Sequence, residues 1–247
     1  MDKNTILVGV IGVLAGFIGG FLLANNLNRS EIAAARAEAA QSKPATNSNS
    51  SSPTGDEQDL SPDEIKAKVA QADKDPSNFA FQKNLGISLY QYSAMKSDSA
   101  ILANARRILE RAYSLNDKDF DVIVALGNAL FDDAFSRKDL ATFNKAREMY
   151  NKALGIRPDD ADVRTDLGIS YFVQEPPDYA KAATELETVS KANPKHDRSL
   201  QFLTQVYIKQ NKIADAEKTL AKIKEINPSN SEIPDLTSQI AAGKGAK

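Results

Sequence analysis

The sequence predicts an all-α fold made of similar helix pairs that repeat along the chain. Three observations carry this prediction. A Leu-Gly pair lies near the start of one helix at Leu85-Gly86, Leu126-Gly127 and Leu167-Gly168. Alanines at helical spacing follow on a second helix, and a proline closes most of the units. Small residues let two antiparallel helices approach closely, and proline ends a helix.

Four units share one register, at about residues 79–119, 120–160, 161–196 and 197–230. The first two units are seven residues longer than the last, and we expect the extra residues to lengthen both helices of each pair by one turn. The third unit has two extra residues in Gln174-Glu175-Pro176-Pro177, where the double proline forces a break between its helices.

This pattern resembles the tetratricopeptide repeat, from which Asp117 and Thr204 depart. The resemblance implies a right-handed solenoid of about four helix pairs over residues 77–230, with a concave groove lined by the first helix of each pair. Capping helices are predicted at both ends, because solenoid ends need a polar cover. One spans residues 61–76 and begins with a capping box at Ser61 and Glu64. The other lies in residues 231–247 and ends in a frayed tail.

An uncharged apolar run, Thr5–Ala24, follows a four-residue tail at residues 1–4 and is long enough to cross a bilayer. A cleaved signal peptide is the competing interpretation, but Leu22 makes a poor cleavage context. We therefore expect a single transmembrane anchor, with a cytosolic amino terminus and a periplasmic or otherwise extracytoplasmic repeat domain. Residues 25–60 are predicted to form an Ala-rich helix and then a flexible Ser/Asn/Pro linker.

Three glycines at four-residue spacing, Gly12, Gly16 and Gly20, share one face of the apolar run. Because glycine permits close backbone contact, this face is predicted to pack against another membrane helix. The alternative is that glycine is simply common in membrane helices.

The family resemblance also implies which side chains line the groove. They are Lys83, Ile87, Tyr90, Asp121, Asn128, Phe131, Asp162, Ile169, Phe172, Arg198, Gln205 and Lys209. Tyr90, Phe131 and Phe172 recur at one position and form either an aromatic ladder along the groove or part of the core. Acidic residues prevail in the second and third units, which favours a partner with a basic end there, although an ordinary solvated surface is the alternative.

Composition argues against several functions. Lys and Arg number 31 against 33 Asp and Glu, without the basic excess of a nucleic-acid binder. There is no Cys and a single His, so neither a thiolate metal site nor cysteine catalysis is available, and we predict no metal and no cofactor. His196 lies in a turn, where a capping role is expected. No base, nucleophile or ligand set comes together in the sequence, so the chain is predicted not to be an enzyme.

The sequence thus predicts a membrane-anchored adaptor that binds a protein or peptide partner in its groove, beside the bilayer. The architecture resembles that of membrane-anchored bacterial repeat proteins associated with the secretion translocon or with cytochrome c maturation. The alternative is a structural role, in which the chain forms homo-oligomers in a cell-envelope assembly, through the transmembrane helix or the outer solenoid surfaces.

Overall fold

A computed structural model describes residues 61–245 of the chain. The chain divides into two units, residues 1–65 and 66–247, and the helices after α1 all belong to the second. Ten α-helices occur in the described range, and no strand. They are α1 Pro62–Lys74, α2 Phe79–Lys96, α3 Ser99–Leu115, α4 Phe120–Arg137, α5 Leu140–Ile156, α6 Ala161–Val173, α7 Tyr179–Ala192, α8 Asp197–Lys209, α9 Ile213–Ile226 and α10 Ile233–Gly245.

Helices pack in consecutive pairs, α2 with α3, α4 with α5, α6 with α7 and α8 with α9. The first helices of neighbouring pairs also contact one another, from α2 through α4 and α6 to α8. In the described range, second helices of neighbouring pairs make at most marginal contact. The first helices therefore form one continuous surface on the tighter side of the array, and we call the surface of α2, α4, α6 and α8 the inner wall. The predicted all-α repeat solenoid is confirmed.

Helix length differs between the two halves of the array. The four helices of the first two pairs have 17 or 18 residues, and the four helices of the last two pairs have 13 or 14. A helical turn takes about 3.6 residues. The extra residues of the first two units therefore lengthen each helix by about one turn, as predicted. The double proline separates α6 from α7, also as predicted.

Glycine at the eighth position of the first three units allows the two helices of a pair to approach closely. A Cβ atom on Gly86 or Gly168 would lie 2.9 Å from the side chain of Leu109 or Leu186, closer than carbon atoms normally approach. The fourth pair has Thr204 at this position, fully buried. Its hydroxyl oxygen lies 2.8 Å from that of Thr219 on the facing helix. The departure from the repeat pattern is thus matched by a hydrogen-bonding partner.

Side-chain caps begin most of the helices. The predicted capping box is present, with Glu64 accepting from the Ser61 backbone N–H at 2.8 Å and Ser61 Oγ accepting from the Glu64 N–H at 3.2 Å. Asn or Asp caps each helix from α2 to α7. His196 caps α8, whereas Lys212 at the start of α9 makes no side-chain cap.

The last helix closes the core of the fourth pair. Leu236 and Ile240 of α10 are buried together with Leu200 of α8 and Ile223 of α9. Other side chains of α10 are exposed, and they are small or polar: Asp235, Thr237, Ser238, Ala241 and Ala242. Residues 66–71 of α1 are likewise exposed apart from the half-buried Val69.

Within residues 61–245, every helix is too short or too polar to cross a membrane. The predicted anchor at residues 5–24, its glycines Gly12, Gly16 and Gly20, and the Ala-rich helix and linker at residues 25–60 lie outside the described residues.

Candidate partner-binding wall

Four of the predicted groove residues are buried and do not line an open surface. The exposed fraction is 1% for Tyr90 and Ile169, 5% for Phe131 and 9% for Phe172. The groove assignment of these four side chains is therefore corrected. The aromatic residues at the twelfth position belong to the core, which is the alternative that the sequence left open.

Aromatic packing explains the burial. The ring of Phe131 meets that of Phe143 edge-on, with centroids 5.5 Å apart, across the two helices of the second pair. The ring of Phe172 meets that of Phe202 edge-on at 6.2 Å, across the boundary between the third and fourth pairs. The twelfth position thus faces the neighbouring helices, where large rings fill the space between helix pairs.

Lys83 joins the first pair to the second. Its Nζ lies 2.9 Å from Asp119 and 2.8 Å from Asp121. Although its partial burial acts in the other direction, hydrogen bonds to the two carboxylates raise the pKa of Lys83 above its ordinary value. The Asp121 side chain is 50% exposed, so this ion-pair group reaches the surface of the inner wall.

Arg198 joins the fourth pair to the third through an ion pair with Asp166. Both side chains are recessed, with exposed fractions of 13% and 14%. Burial raises the pKa of Asp166, the adjacent Arg198 acts against that rise, and the carboxylates of Asp162 and Asp160 add to it. Arg198 was predicted to line the groove, and the structure shows that its charge is already paired with Asp166.

His196 occupies the same boundary and has the capping role that the sequence predicts. Its Nδ1 accepts the backbone N–H of Ser199 at 3.2 Å, so this nitrogen carries no proton. The proton is then on Nε2, which lies 3.1 Å from Oδ1 of Asp162. The Asp162 side chain is 48% exposed on the inner wall.

The hydroxyl of Tyr150 bonds to Asn128, and the charges of Asp132, Asp166 and Arg198 act on it; we call these five residues the Tyr150 group. Tyr150 is 1% exposed, and its hydroxyl donates to Oδ1 of Asn128 at 3.0 Å. Burial raises the pKa of Tyr150 well above its ordinary value, and the nearby carboxylates of Asp166 and Asp132 raise it further. The residues of the Tyr150 group come from α4, α5, α6 and α8, and so from the last three pairs.

The remaining predicted residues lie on or near the open surface. Ile87, Asn128 and Gln205 are half-buried, and Lys209 is exposed. The amide nitrogen of Asn128 and the whole side chain of Gln205 make no hydrogen bond within residues 61–245. Both residues stand at the ninth position of their units, which makes them available for donors and acceptors on a bound chain.

Sequence reasoning did not find Asp166 or Tyr150. A signal for Asp166 does exist, because it stands at the sixth position of its unit and Arg198 at the second position of the next. Opposite charges at these two positions are consistent with an ion pair between neighbouring repeats. Tyr150 belongs to a second helix, and the sequence gives no sign that its hydroxyl reaches the inner wall.

Within the described range, no group of three or more His, Cys, Asp or Glu side chains is arranged to hold a metal ion. The inner wall combines amide groups, paired charges and half-buried apolar side chains. Such a surface is suited to binding a chain by hydrogen bonds and charge.

Fold and wall together define an all-helical, tetratricopeptide-like solenoid. Residues 177–240 match a family model described as Tetratricopeptide repeat. No curated protein matches the chain in a sequence search.

Solved structures of similar fold lead to the same class. The crystal structure of YrrB, described as a TPR protein with an unusual peptide-binding site, is 17% identical. Its alignment covers 71% of this chain and 84% of YrrB, with a TM-score of 0.55. A crystal structure of MamA is 20% identical over 67% of this chain and 87% of MamA, with a TM-score of 0.54. MamA from Desulfovibrio magneticus RS-1 is 15% identical over 68% and 86%, with a TM-score of 0.54.

These likenesses show a shared fold. The family match at residues 177–240 agrees with this fold.

Proposed function

We propose that the chain is a non-catalytic adaptor whose inner wall binds an extended segment of a protein partner. The contact between successive first helices carries this proposal, because it makes one uninterrupted surface across four helix pairs. A peptide lying on this surface can contact several repeats at once. YrrB, which shares the fold, is described as having a peptide-binding site, and this supports the same proposal.

The chemistry of the wall supports a peptide ligand. Asn128 and Gln205 present amide groups at the same position of the second and fourth units. An amide side chain offers a donor and an acceptor that match the main chain of a peptide. Half-buried apolar residues such as Ile87 add surface that a ligand can cover.

Selection of peptides tests the proposal. The immobilised full chain in mild detergent would be presented with a phage-displayed library of random peptides. We expect enriched sequences whose binding, measured by fluorescence anisotropy, weakens about ten-fold when Asn128→Ala and Gln205→Ala are combined, because two hydrogen bonds are lost. Lys145→Ala with Lys218→Ala, two exposed positions on second helices, is the matched control.

Phe131 and Phe172 are unsuitable for such a test, because truncating buried aromatic residues unfolds rather than probes a surface. Failure to enrich any peptide would contradict the proposal. Equal effects of the inner-wall and control variants would do the same.

We also propose that Thr5–Ala24 anchors the adaptor in the cell membrane, with the repeats on the extracytoplasmic side. The length and apolar character of the run support this proposal. We expect the full chain to stay in the membrane pellet after alkaline carbonate extraction and Leu14→Arg to release it, since a charge in mid-bilayer is costly. Protease added to intact spheroplasts should digest the repeats. Release of the unaltered chain by carbonate would exclude the anchor.

The structural alternative makes a different prediction for the oligomeric state. The exposed residues of α10 are small or polar, as in helices that close a repeat array. An adaptor is expected to be monomeric unless the glycine face assembles it in the membrane. Light scattering on the full chain in detergent, compared with Gly16→Ile, distinguishes these cases. Multimers that persist in Gly16→Ile and assemble through the repeats would favour the structural role.

A further inference from the structure

We infer that the inner wall has a subsite for an apolar side chain at the boundary between the second and third pairs, where the ring of Phe135 is the contact surface. Its occupant is a large apolar side chain, such as Leu or Phe, of the peptide segment bound by the inner wall. This inference rests on the proposed peptide-binding function and specifies one side chain of the ligand.

A difference in helix length makes a step in the inner wall at this boundary. Helix α4 ends at Arg137, ten positions after Gly127, whereas α6 ends at Val173, five positions after Gly168. The two glycines occupy the same position of their units, and five residues of helix span about 7.5 Å. The end of α4 therefore projects beyond the end of α6. Helices α2 and α4 both have 18 residues, so the step belongs to the boundary between the second and third pairs.

Phe135 lies on the projecting end of α4. It follows Asn128 by seven positions, which places both residues on the same face of the helix, two turns apart. The side chain of Phe135 is half-buried, and the first unit has the small residue Ala94 at the equivalent position. Because α6 ends before this level, the step presents aromatic surface that continues the inner wall.

The ring of Phe135 is held in place by a buried ring. It stacks on Phe131 with an interplanar angle of 1° and centroids 6.4 Å apart. Phe131 is 5% exposed and meets Phe143 edge-on at 5.5 Å. A ligand that covers Phe135 therefore meets a ring that is already ordered, and little conformational entropy is lost on binding.

The charges beside the step favour an apolar ligand over a charged one. Lys138, which follows α4, contacts Glu175, which follows α6, at 3.1 Å. Arg137 contacts Asp133 at 2.6 Å. A charged ligand would have to compete with these pairs, whereas an apolar side chain gains by leaving water and covering the ring.

The experiment uses peptides selected from the random phage library on the full chain in phospholipid nanodiscs, because detergent competes for apolar surfaces. We expect a large apolar residue at one position, and its replacement by Ala to weaken binding about ten-fold, the scale of burying one such side chain. Phe135→Ala should weaken the unaltered peptide by a similar factor. In Phe135→Ala the two peptides should then bind within about two-fold of each other, since coupled residues are not additive.

Ile156→Ala is the matched control, because Ile156 is also an apolar residue near the end of a helix and is 46% exposed. It belongs to the second helix α5, outside the inner wall, and we expect its removal to leave peptide affinity unchanged. Thermal unfolding checks that both variants remain folded.

A second measurement needs no variant of the chain. The selected peptide is made with photo-leucine at its apolar position, and mass spectrometry locates the cross-links on the unaltered protein. We expect them at residues 131–138 and 173–177, on the two sides of the step.

Enriched peptides without a large apolar residue would overturn the inference and leave the peptide-binding function standing. Equal loss of affinity in Phe135→Ala and Ile156→Ala, or cross-links confined to other parts of the chain, would also overturn it. Failure to select any peptide would instead contradict the proposed function, and the inference would fall with it.

Discussion

Between the first two helix pairs a lysine bridges a part-buried and a half-exposed aspartate, whereas between the last two pairs an arginine and an aspartate are both recessed. Lys83 contacts Asp121, whose side chain is 50% exposed, while Arg198 and Asp166 are 13% and 14% exposed. The repeat register is the same in both places. The difference shows that one register can support an ion-pair group that reaches water through one of its carboxylates, or a pair in which both partners are recessed.

Helix length divides the molecule along the same line. The longer helices of the first two pairs have an extra turn of contact, whereas the shorter helices of the last two pairs have less surface in common. Polar contacts add to the packing between the third and fourth pairs. These include the hydrogen bond from the Tyr207 hydroxyl to Glu187, at 2.9 Å, and that from Gln210 to the Tyr179 carbonyl, at 2.9 Å.

Removal of the two cations should give the largest contrast. Arg198→Ala leaves the Asp166 carboxylate recessed without its partner and is expected to lower the free energy of unfolding by about 3 kcal/mol. Lys83→Ala leaves two carboxylates of which one, Asp121, is half-exposed, and should cost less, about 1 kcal/mol. Urea unfolding followed by circular dichroism measures both. Equal losses would remove the distinction between the two boundaries.

A methyl group at the eighth position tests what the two regions share. Gly86→Ala and Gly168→Ala would each force a facing leucine to move, and we expect each to cost about 2 kcal/mol. Gly155→Ala is the control, because a Cβ atom there meets nothing within 4 Å. This change should stabilise α5 by about 0.5 kcal/mol through helix propensity. Differential scanning calorimetry can rank the three variants. A tolerated Gly168→Ala would indicate looser packing in the third pair.

Acid should affect the two regions in opposite directions. Burial acts to raise the pKa of Asp119. Hydrogen bonds from Lys83 and from the backbone N–H of Val122 act more strongly and hold that pKa below 3.8. The stabilisation from Asp119 is therefore present above the unfolded pKa and is lost as the pH falls through the lower folded pKa. Burial and neighbouring carboxylates raise the pKa of Asp166, so protonation of this residue favours the folded state as the pH falls.

Urea midpoints at about pH 6 and pH 3 bracket the ordinary aspartate pKa and measure this contrast. Compared with the unaltered chain, Asp119→Asn should lose less stability on acidification. Asp166→Asn should lose more. The same change in both variants would show that the two aspartates titrate alike.

The smallest expected effect concerns α9, the second helix of the last pair, which begins without a side-chain cap. Lys212 begins α9 without a side-chain hydrogen bond to the helix. Lys212→Asp should supply one, as Asp178 does for α7, and should raise the melting temperature with a gain of about 0.5 kcal/mol. The gain is modest because the lysine Nζ, 5.8 Å from the ring centroid of Tyr207, is removed. An unchanged melting temperature in Asp178→Ala would contradict the importance given to these caps.

Local sequence rules are sufficient for much of the fold. Prolines, small residues and the capping box determine where helices begin, end and approach, because these effects act over a few residues. The extra turns of the first pairs follow from one constant offset in the register. The double proline before Tyr179 likewise predicts the break between α6 and α7.

The inner wall could be predicted only in part. The twelfth position borders both surface and core, so Phe131 and Phe172 could not be assigned without the packing of their neighbours. The pairing of Arg198 with Asp166 was not predicted, because the two residues lie 32 positions apart. Pairings over such distances depend on how repeats stack, which side-chain type alone does not specify. For the same reason, the hydroxyl of Tyr150 was missed.

The fourth pair has two facing threonines at the place where the other pairs have a glycine facing a large side chain. Thr204 and Thr219 are buried, and their hydroxyl oxygens lie 2.8 Å apart. The larger side chain of Thr204 on α8 is therefore accommodated together with Thr219, its hydrogen-bonding partner on α9. An evolving or engineered repeat could adopt this solution only by changing both residues together. Transfer of Thr204 alone into another repeat would place an extra side chain against a large neighbour such as Leu186.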